Sequence, residues 1–227
     1  MTSQRLLVVG NGMAGLRFVE ELTRHAPGRF AITVVGAEDA PAYNRVLLSP
    51  LLSGEIAAGD LQLKARDWYA EHDISLLTGS AVAMLEPERG QARLADGRRL
   101  SFDICVLATG SEPIRLPVPG GDLEGVTTFR TLADADALAA FAGSGSRGSA
   151  TTCSRAVVIG GGLLGIEAAY GLARAGARVS LVHLMDRLME RQLDAEGAGL
   201  LRRALEAKGI EVLLGAALIA GLLTRWS

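Results

Sequence analysis

The fold of this chain is decided by the stretch Leu6-Leu7-Val8-Val9-Gly10-Asn11-Gly12-Met13-Ala14-Gly15, which recurs as Ala156-Val157-Val158-Ile159-Gly160-Gly161-Gly162-Leu163-Leu164-Gly165. In each copy an apolar run precedes G-x-G-x-x-G, and a helix-forming run follows it. That order predicts a buried strand, a glycine turn and a helix, which together form a dinucleotide-binding unit. One such motif is a weak signal because glycine turns are common. Two copies in the same context predict two dinucleotide sites.

The spacing of the glycines suits a pyrophosphate. The first glycine makes the tight turn, the second lets the backbone approach the phosphates, and the third lets helix and strand pack closely. The helix N-terminus adds unpaired N–H groups and partial positive charge. We therefore expect cofactor contacts from Gly10, Gly12, Met13, Ala14 and Gly15 in the first copy and from Gly160, Gly162, Leu163, Leu164 and Gly165 in the second. The alternative at each copy is a glycine turn that binds nothing.

Composition narrows the class of protein. The chain has 227 residues, 49% of them apolar, and a net charge of −2, which suits one large or two modest globular domains. It has no basic excess that would indicate nucleic acid, and no apolar run reaches the roughly 18 residues of a membrane span. The N-terminus enters a strand directly, without a charged leader. We expect a cytoplasmic protein that binds neither nucleic acid nor membrane.

The two cysteines, Cys105 and Cys153, belong to no C-x-x-C pair and to no metal-ligand cluster. Cys105 lies in the apolar run 104–107, which predicts a small buried hydrophobic residue. Cys153 lies in a polar linker. The sequence therefore predicts no metal site and argues against a disulfide-reductase mechanism.

The order of predicted elements indicates an α/β protein with two Rossmann-like folds. The predicted strands are 5–9, 31–35, 74–77, 81–85, 103–109, 156–159, 178–182 and 210–214, and the predicted helices are 14–25, 64–72, 131–142, 163–175 and 194–208. We divide the chain into a first dinucleotide domain (1–115), a connection with a Gly/Ser/Thr-rich linker (116–154) and a second dinucleotide domain (155–227). The second domain is expected to be incomplete, because the chain ends shortly after its third strand begins.

The two motifs and the intervening Ala108-Thr109-Gly110 resemble the two-dinucleotide flavoprotein reductases. In that family the first fold holds FAD, the second holds NAD(P)H, and the A-T-G strand end closes over the flavin. Residues 43–50 and 182–194 are similar to the N-terminal reductase module of the nitrite reductase large subunit. This resemblance extends from residue 5 to about residue 215, and it implies that the FAD fold lacks its C-terminal return here.

Two departures separate the chain from other branches of the family. Pro50 follows the leucine–serine pair where ferredoxin-reductase relatives carry lysine. No cysteine lies between Gly36 and Ser53, where peroxidase-like relatives carry a redox cysteine. The resemblance therefore implies flavin chemistry without a protein thiol.

Several residues of the first fold are candidate FAD contacts. Glu38 lies 23 positions after Gly15 (38 − 15), near where a carboxylate accepts hydrogen bonds from the adenosine ribose; a solvated loop glutamate is the alternative. The resemblance implies that Arg45 lies near the FAD phosphates or adenine, with an exposed arginine lacking a ligand as the alternative. The further candidates are Tyr43, Asn44, Val82, Ala108, Thr109 and Gly110.

In the second fold the ribose position falls near His183, 18 positions after Gly165 (183 − 165). His183 is not acidic, so the usual carboxylate signal for NAD is missing. Asp186 lies two to three residues too late, and Arg187 or Arg191 would suit a 2′-phosphate. The preference between NADH and NADPH therefore stays open.

Glu167 matches the family pattern G-x-G-x-x-G-x-E, which implies a position close to the nicotinamide. The alternative is a carboxylate stabilised by the positive end of the helix. The resemblance implies hydride transfer from reduced nicotinamide to flavin. The cofactors carry out that chemistry, so we nominate no catalytic residue and treat Glu167 only as a possible orienting group.

Three hypotheses of function follow. The first is the FAD/NAD(P)H reductase module of a nitrite reductase, passing electrons to iron–sulfur and sirohaem centres on sequence absent from this chain. The second is a stand-alone ferredoxin- or rubredoxin-type reductase. The third is an inactive truncated fragment that binds FAD weakly, which is favoured by the tail after Gly215 because it stops matching the family.

Overall fold

The computed structural model describes residues 3–144, 154–219 and 222–225. The helices are α1 Met13–His25, α2 Leu48–Leu52, α3 Arg66–Glu71, α4 Leu132–Ser144, α5 Leu163–Arg174 and α6 Ala195–Glu206. The strands are β1 Gln4–Val9, β2 Phe30–Val35, β3 Ser75–Leu77, β4 Val82–Glu86, β5 Gln91–Leu94, β6 Arg99–Ser101, β7 Ile104–Leu107, β8 Arg155–Ile159, β9 Arg178–Val182, β10 Glu211–Leu213, β11 Ala216–Ile219 and β12 Leu222–Arg225. The predicted α/β fold class is confirmed, with parallel sheets as the glycine motifs indicate.

The chain divides into two compact units. The first comprises Met1–Arg45 and Gly59–Glu112, and the second comprises Val46–Ala58 and Pro113–Ser227. The segment that carries α2 thus belongs to the second unit. The functional boundaries at residues 115 and 154 stay predictions, since they concern which cofactor each part holds.

The first unit is built on a parallel sheet with strand order β3-β2-β1-β7. β1 pairs with β2 on one side and with β7 on the other. Because side chains alternate along a strand, a central strand that is covered on both faces is apolar throughout. One face of β1 packs with α1 and α3, and the other packs with the antiparallel sheet β4-β5-β6. The cluster on the helix face includes Leu6, Val8, Leu16, Val19, Ile32, Val34 and Tyr69. The second cluster, on the face of the antiparallel sheet, includes Leu7, Val9, Val35, Ala92, Leu94 and Phe102.

β7 is more exposed than the sequence predicts. The apolar run predicts a buried strand over 103–109, but Ile104 is 38% exposed and Leu107 is 64% exposed. Cys105 is only half-buried, and this partial burial raises the pKa of its thiol. The expectation of full burial is wrong because β7 lies at the edge of its sheet, with one strand as its neighbour.

The second unit contains a parallel sheet with strand order β10-β9-β8. Its core joins α5 and α6 to the sheet and includes Leu52, Ala142, Leu172, Val179, Leu181, Leu188, Leu205 and Ile210. Leu52 of α2 packs closely on α5, because a Cβ at Gly171 would lie 2.9 Å from its Cγ. Asp194 caps α6 by accepting a hydrogen bond of 2.8 Å from the Gly197 N–H.

The segment after Gly215 contains the last two strands, β11 and β12. The backbones of β11 and β12 form an antiparallel hairpin, with Ala216 opposite Arg225 and Ile219 opposite Leu222. Residues 145–153, which belong to the predicted linker and include Cys153, lie outside the described residues. In the part of the chain that the structure describes, no helix combines the length and hydrophobicity needed to cross a membrane.

Candidate dinucleotide sites

The first glycine turn is shaped by its own backbone. Gly10 has φ +114°, a conformation that favours glycine, and its N–H donates to the Val35 carbonyl at 2.8 Å. A Cβ at Gly10 would overlap the Ala108 carbonyl, and a Cβ at Gly15 would overlap the Gly10 carbonyl. The fold itself therefore requires the first and third glycines of the motif.

Gly12 differs because a Cβ there would meet no atom within 4 Å. Gly12 is the N-cap of α1, makes no side-chain capping hydrogen bond, and is followed by no acidic residue in the first turn. The first N–H groups of a helix lack partners within the helix, and its N-terminus carries partial positive charge. This end of α1 is therefore open, electropositive and suited to an anionic group such as a pyrophosphate.

Asn11 supplies a second sign that the turn is built for a ligand. Its Oδ1 accepts a hydrogen bond of 3.0 Å from the Tyr69 hydroxyl. Its Nδ2 is buried, and no atom of the described residues accepts from it. A buried donor without an acceptor costs about 1–3 kcal/mol, so an acceptor on a bound ligand would stabilise this site. The residues of the turn fit a dinucleotide.

Glu38, Tyr43 and Arg45 come together in the first unit. The Tyr43 hydroxyl donates to Glu38 Oε2 at 2.6 Å, and the Arg45 guanidinium forms an ion pair with Glu38 Oε1. The Arg45 guanidinium also lies over the Tyr43 ring, 5.1 Å from its centroid. Glu38 is half-buried and held on both oxygens, so it is not the solvated loop glutamate that the sequence left as an alternative. Asn44 extends this segment, and its N–H donates to the Leu61 carbonyl at 2.8 Å.

The other FAD candidates of the first unit lie at strand ends. The Ala108 N–H donates to the Val9 carbonyl at 2.8 Å, and Thr109 and Gly110 that follow it are exposed. Val82 begins β4 opposite Leu94 and packs against the second cluster of the unit. Its cofactor contact stays a prediction, because the core contact alone accounts for a valine at this position.

The second glycine turn repeats the first in part. Gly160 has φ +113°, and its N–H donates to the Val182 carbonyl at 2.9 Å. A Cβ at Gly165 would overlap the Gly160 carbonyl, while a Cβ at Gly162 would meet no atom within 4 Å. The first turn of α5 contains no acidic residue, and Leu163 and Leu164 are exposed there. The second turn thus offers the same open helix N-terminus.

His183 lies on the second turn itself. Its Nδ1 accepts a hydrogen bond of 3.0 Å from the Gly161 N–H, and its Nε2 lies 3.0 Å from Glu190 Oε2. Since the backbone N–H can only donate, Nδ1 is the acceptor and Nε2 carries the proton that is donated to the carboxylate. Hydrogen bonds from its own backbone N–H and from His183 lower the pKa of the Glu190 carboxyl. The motif did not reveal this role of Glu190.

Glu167 also has a partner that the sequence did not reveal. Within the second unit the Ser49 hydroxyl donates to Glu167 Oε2 at 2.8 Å. Glu167 is the fifth residue of α5 and half-buried, so it lies past the first turn of the helix. A side chain held by hydrogen bonding suits an orienting role better than a freely rotating helix carboxylate. Among the described residues, no group of histidine, cysteine and acidic side chains could hold a metal ion.

Curated relatives match almost the whole chain in sequence. The chain is 43% identical over 214 residues to the assimilatory nitrate reductase electron transfer subunit of Bacillus subtilis, and 44% identical over 215 residues to a nitrite reductase [NAD(P)H] of the same organism. These matches cover 94% of the chain but only 27% and 26% of the relatives. The chain therefore spans about a quarter of their length.

Solved structures show the same fold. The putidaredoxin reductase of a covalent complex with putidaredoxin is 30% identical, with a TM-score of 0.79, over 96% of this chain and 51% of that one. The NADH-bound water-forming NADH oxidase of Lactobacillus brevis, at 23% identity and a TM-score of 0.82, covers 96% of this chain and 48% of that chain, and shows the fold alone.

A family profile matches residues 4–220, which is nearly the whole chain. It confirms the predicted resemblance to the flavoprotein reductases, and the predicted cofactors FAD and NAD(P)H agree with it. The roles of individual residues toward these cofactors stay predictions. The chain belongs to the pyridine nucleotide-disulphide oxidoreductase family.

Proposed function

We propose that the chain is the reductase module of a cytoplasmic FAD-dependent oxidoreductase, in which NAD(P)H donates a hydride to bound FAD and electrons pass on to an iron–sulfur or sirohaem acceptor. The observation that carries the proposal is the pair of glycine turns. In both, the third glycine is required by the backbone, while the second glycine faces open space at an uncapped helix N-terminus. An open second position beside a tightly packed third glycine is what pyrophosphate binding needs.

In the first unit, the turn and α1 would hold the FAD pyrophosphate. Asn11 Nδ2 would donate to the cofactor, which gives this buried amide group the acceptor that it lacks among the described residues. Glu38 would accept from the adenosine ribose, since a carboxylate has about four acceptor positions and Tyr43 and Arg45 occupy only part of them. Arg45 and Tyr43 would orient that carboxylate.

In the second unit, the turn and α5 would hold the nicotinamide dinucleotide. Glu167 would orient the nicotinamide end, with its carboxylate kept in one rotamer by the hydrogen bond from Ser49. The protein needs no nucleophile for this chemistry and supplies binding and orientation. Cys105 is unsuited to a redox role, since burial raises its thiol pKa.

The destination of the electrons is proposed from the relatives. The two Bacillus subtilis proteins are an electron transfer subunit of nitrate reductase and a nitrite reductase, at 43% and 44% identity. A ferredoxin--NAD(+) reductase subunit of the benzene dioxygenase system of Pseudomonas putida is 34% identical. The higher identity favours nitrogen assimilation, and a stand-alone ferredoxin-type reductase is the second candidate.

The test is a visible absorption spectrum of the purified chain with FAD, recorded before and after anaerobic NADH and then NADPH. We expect flavin bands that bleach with at least one nucleotide. A protein that stays colourless with added FAD contradicts the proposal and supports the inactive fragment. If bleaching occurs, rapid reoxidation by a small iron–sulfur protein supports the ferredoxin-type candidate.

A further inference from the structure

The loop between β9 and α6 folds back onto the second glycine turn. The Met189 N–H donates to the Gly161 carbonyl at 3.0 Å, and the Leu188 side chain is fully buried against the core. A Cβ at Gly161 would lie 2.6 Å from Leu188 Cδ2 and 2.7 Å from His183 Cγ. This loop therefore covers the turn so closely that only glycine fits at position 161. Glu190, which follows Met189 in the chain, consequently lies beside the turn.

His183 occupies the position at the end of the second strand where dinucleotide folds carry the group that binds the adenosine ribose. Both nitrogens of its ring already form hydrogen bonds within the protein, Nδ1 with the Gly161 N–H and Nε2 with the Glu190 carboxylate. The carboxylate that is hydrogen-bonded to the side chain at this strand end is Glu190, which the loop supplies seven residues later (190 − 183). The histidine fixes that carboxylate in place.

Two arginines of the same loop, Arg187 and Arg191, would suit a 2′-phosphate, and Arg191 is exposed. Arg187 is half-buried. Its guanidinium lies 3.5 Å from Asp186 Oδ1, and its NH2 donates to the Glu190 carbonyl at 3.4 Å. Two of its three nitrogens thus already face oxygens of the loop. Its Nε is buried, and no atom of the described residues accepts from it. A buried Nε is the nitrogen that a ligand phosphate reaches least easily, so Arg187 is a poor phosphate site.

We infer that Glu190, positioned by His183, reads the 2′ position of the adenosine ribose and makes the second fold select NADH over NADPH. The inference rests on the proposed nicotinamide dinucleotide site in the second unit. A ribose 2′-hydroxyl can donate to the carboxylate. A 2′-phosphate brings further negative charge against the carboxylate, and like charges that are brought together at a binding site weaken binding.

The experiment measures binding without the redox reaction. The full chain, loaded with FAD, is titrated calorimetrically with ADP-ribose and with 2′-phospho-ADP-ribose at physiological ionic strength. We expect the wild-type chain to bind ADP-ribose about tenfold more tightly or better. Glu190→Gln keeps the size of the side chain and removes its charge, so the ratio of the two dissociation constants should fall by about fivefold or more.

Asp186→Asn is the matched control. Asp186 lies in the same loop, and its side chain is 83% exposed. Removing its charge should leave the ratio within about twofold of wild type, since an exposed charge is screened by solvent and salt. Circular dichroism verifies that both variants are folded.

Four outcomes overturn the inference: tighter binding of the phosphorylated ligand to wild type, no binding of either ligand, an unchanged ratio in Glu190→Gln, or an equal shift in Asp186→Asn. The proposed function fails separately. If selectivity for ADP-ribose is found and depends on Glu190, but neither NADH nor NADPH bleaches the flavin, the inference stands without the reductase activity.

Discussion

In each of the two glycine turns, a residue of the turn lies against the residue that follows the neighbouring strand. One of the two is glycine and the other has a larger side chain, and the two turns place them in opposite order. In the first unit the turn carries Asn11 and the strand end carries Gly36, whose Cβ would lie 3.0 Å from Asn11 Cβ. In the second unit the turn carries Gly161 and the strand end carries His183. In both turns one side chain fills the space between the two positions. Both turns thus require the third motif glycine, while this neighbouring pair determines which polar side chain lies at each turn.

The turns also differ in what lies beside the first glycine. Gly10 and Gly160 share nearly the same φ, +114° and +113°. A Cβ at Gly10 would overlap the carbonyl of Ala108, just beyond β7, whereas one at Gly160 would meet no atom within 4 Å. The cause is the strand order, because β1 has a neighbour on both sides and β8 pairs only with β9 among the described residues.

The sharpest test of this difference compares Gly10→Ala with Gly160→Ala. Both variants place a Cβ at positive φ, which costs about 1–2 kcal/mol. Gly10→Ala must also displace a backbone carbonyl, so we expect a total loss of about 4 kcal/mol or more, in the range of severe core changes. Urea-induced unfolding followed by circular dichroism measures both. Equal losses would show that the neighbouring strand does not constrain the first turn.

A second test changes the glycine and its larger neighbour in each turn, first singly and then together. Gly161→Ala should destabilise the second unit by about 2–3 kcal/mol, because the new methyl group overlaps the His183 ring. Adding His183→Gly removes one of the two obstacles and leaves Leu188 Cδ2, which ends a flexible side chain, so the double variant should be more stable than the sum of the single changes by about 1 kcal/mol or more. Gly36→Ala with Asn11→Gly is the corresponding cycle in the first unit. Strict additivity in both cycles would contradict the packing argument.

A third test separates folding from binding. Gly12→Ala and Gly162→Ala add a methyl group in open space, so each should change the free energy of unfolding by less than about 1 kcal/mol. We expect Gly12→Ala to lose the FAD absorption bands. Gly162→Ala should keep those bands but lose their bleaching by NADH, because its methyl group blocks only the second pyrophosphate. If both variants behave like wild type in these spectra, the turns are glycine-rich but bind nothing.

The smallest expected effect concerns β7, which pairs with β1 and has no counterpart beside β8 among the described residues. Asp103 precedes β7 and ties it to β1, accepting from the Arg5 N–H at 2.7 Å and from the Arg5 guanidinium at 2.6 Å. These hydrogen bonds lower the Asp103 pKa from 3.8 to about 2. A lowered pKa in the folded state stabilises the protein above pH 3.8, and this stabilisation is lost as the pH falls toward 2.

We therefore expect Asp103→Asn to lower the urea midpoint slightly at pH 7, with the difference from wild type disappearing between pH 3.8 and about 2. Arg5→Gln should lower it by a similar amount, and the double variant should be little worse than either single variant. A difference that persists at pH 2 would show that the loss comes from something other than the ionised pair.

Sequence periodicity predicted most strands and helices of both units, often to within one or two residues, because the apolar runs and the glycine breaks act locally. It did not predict α2 or the hairpin of β11 and β12. It was wrong about the burial of β7, since an apolar run of this length is equally compatible with a central and an edge strand. Motif spacing made Glu38 a candidate FAD contact and the family resemblance made Arg45 another, but neither showed that the two side chains form an ion pair.

The sequence by itself determined the family and the pair of glycine turns, because those follow from local spacing. Only the tertiary structure decided that Ser49 holds Glu167 and that His183 holds Glu190. The first pair is separated by 118 positions (167 − 49), and the second depends on a loop that folds back across a turn. Contacts of that kind arise from how the strands and loops pack, which no pattern of neighbouring residues records.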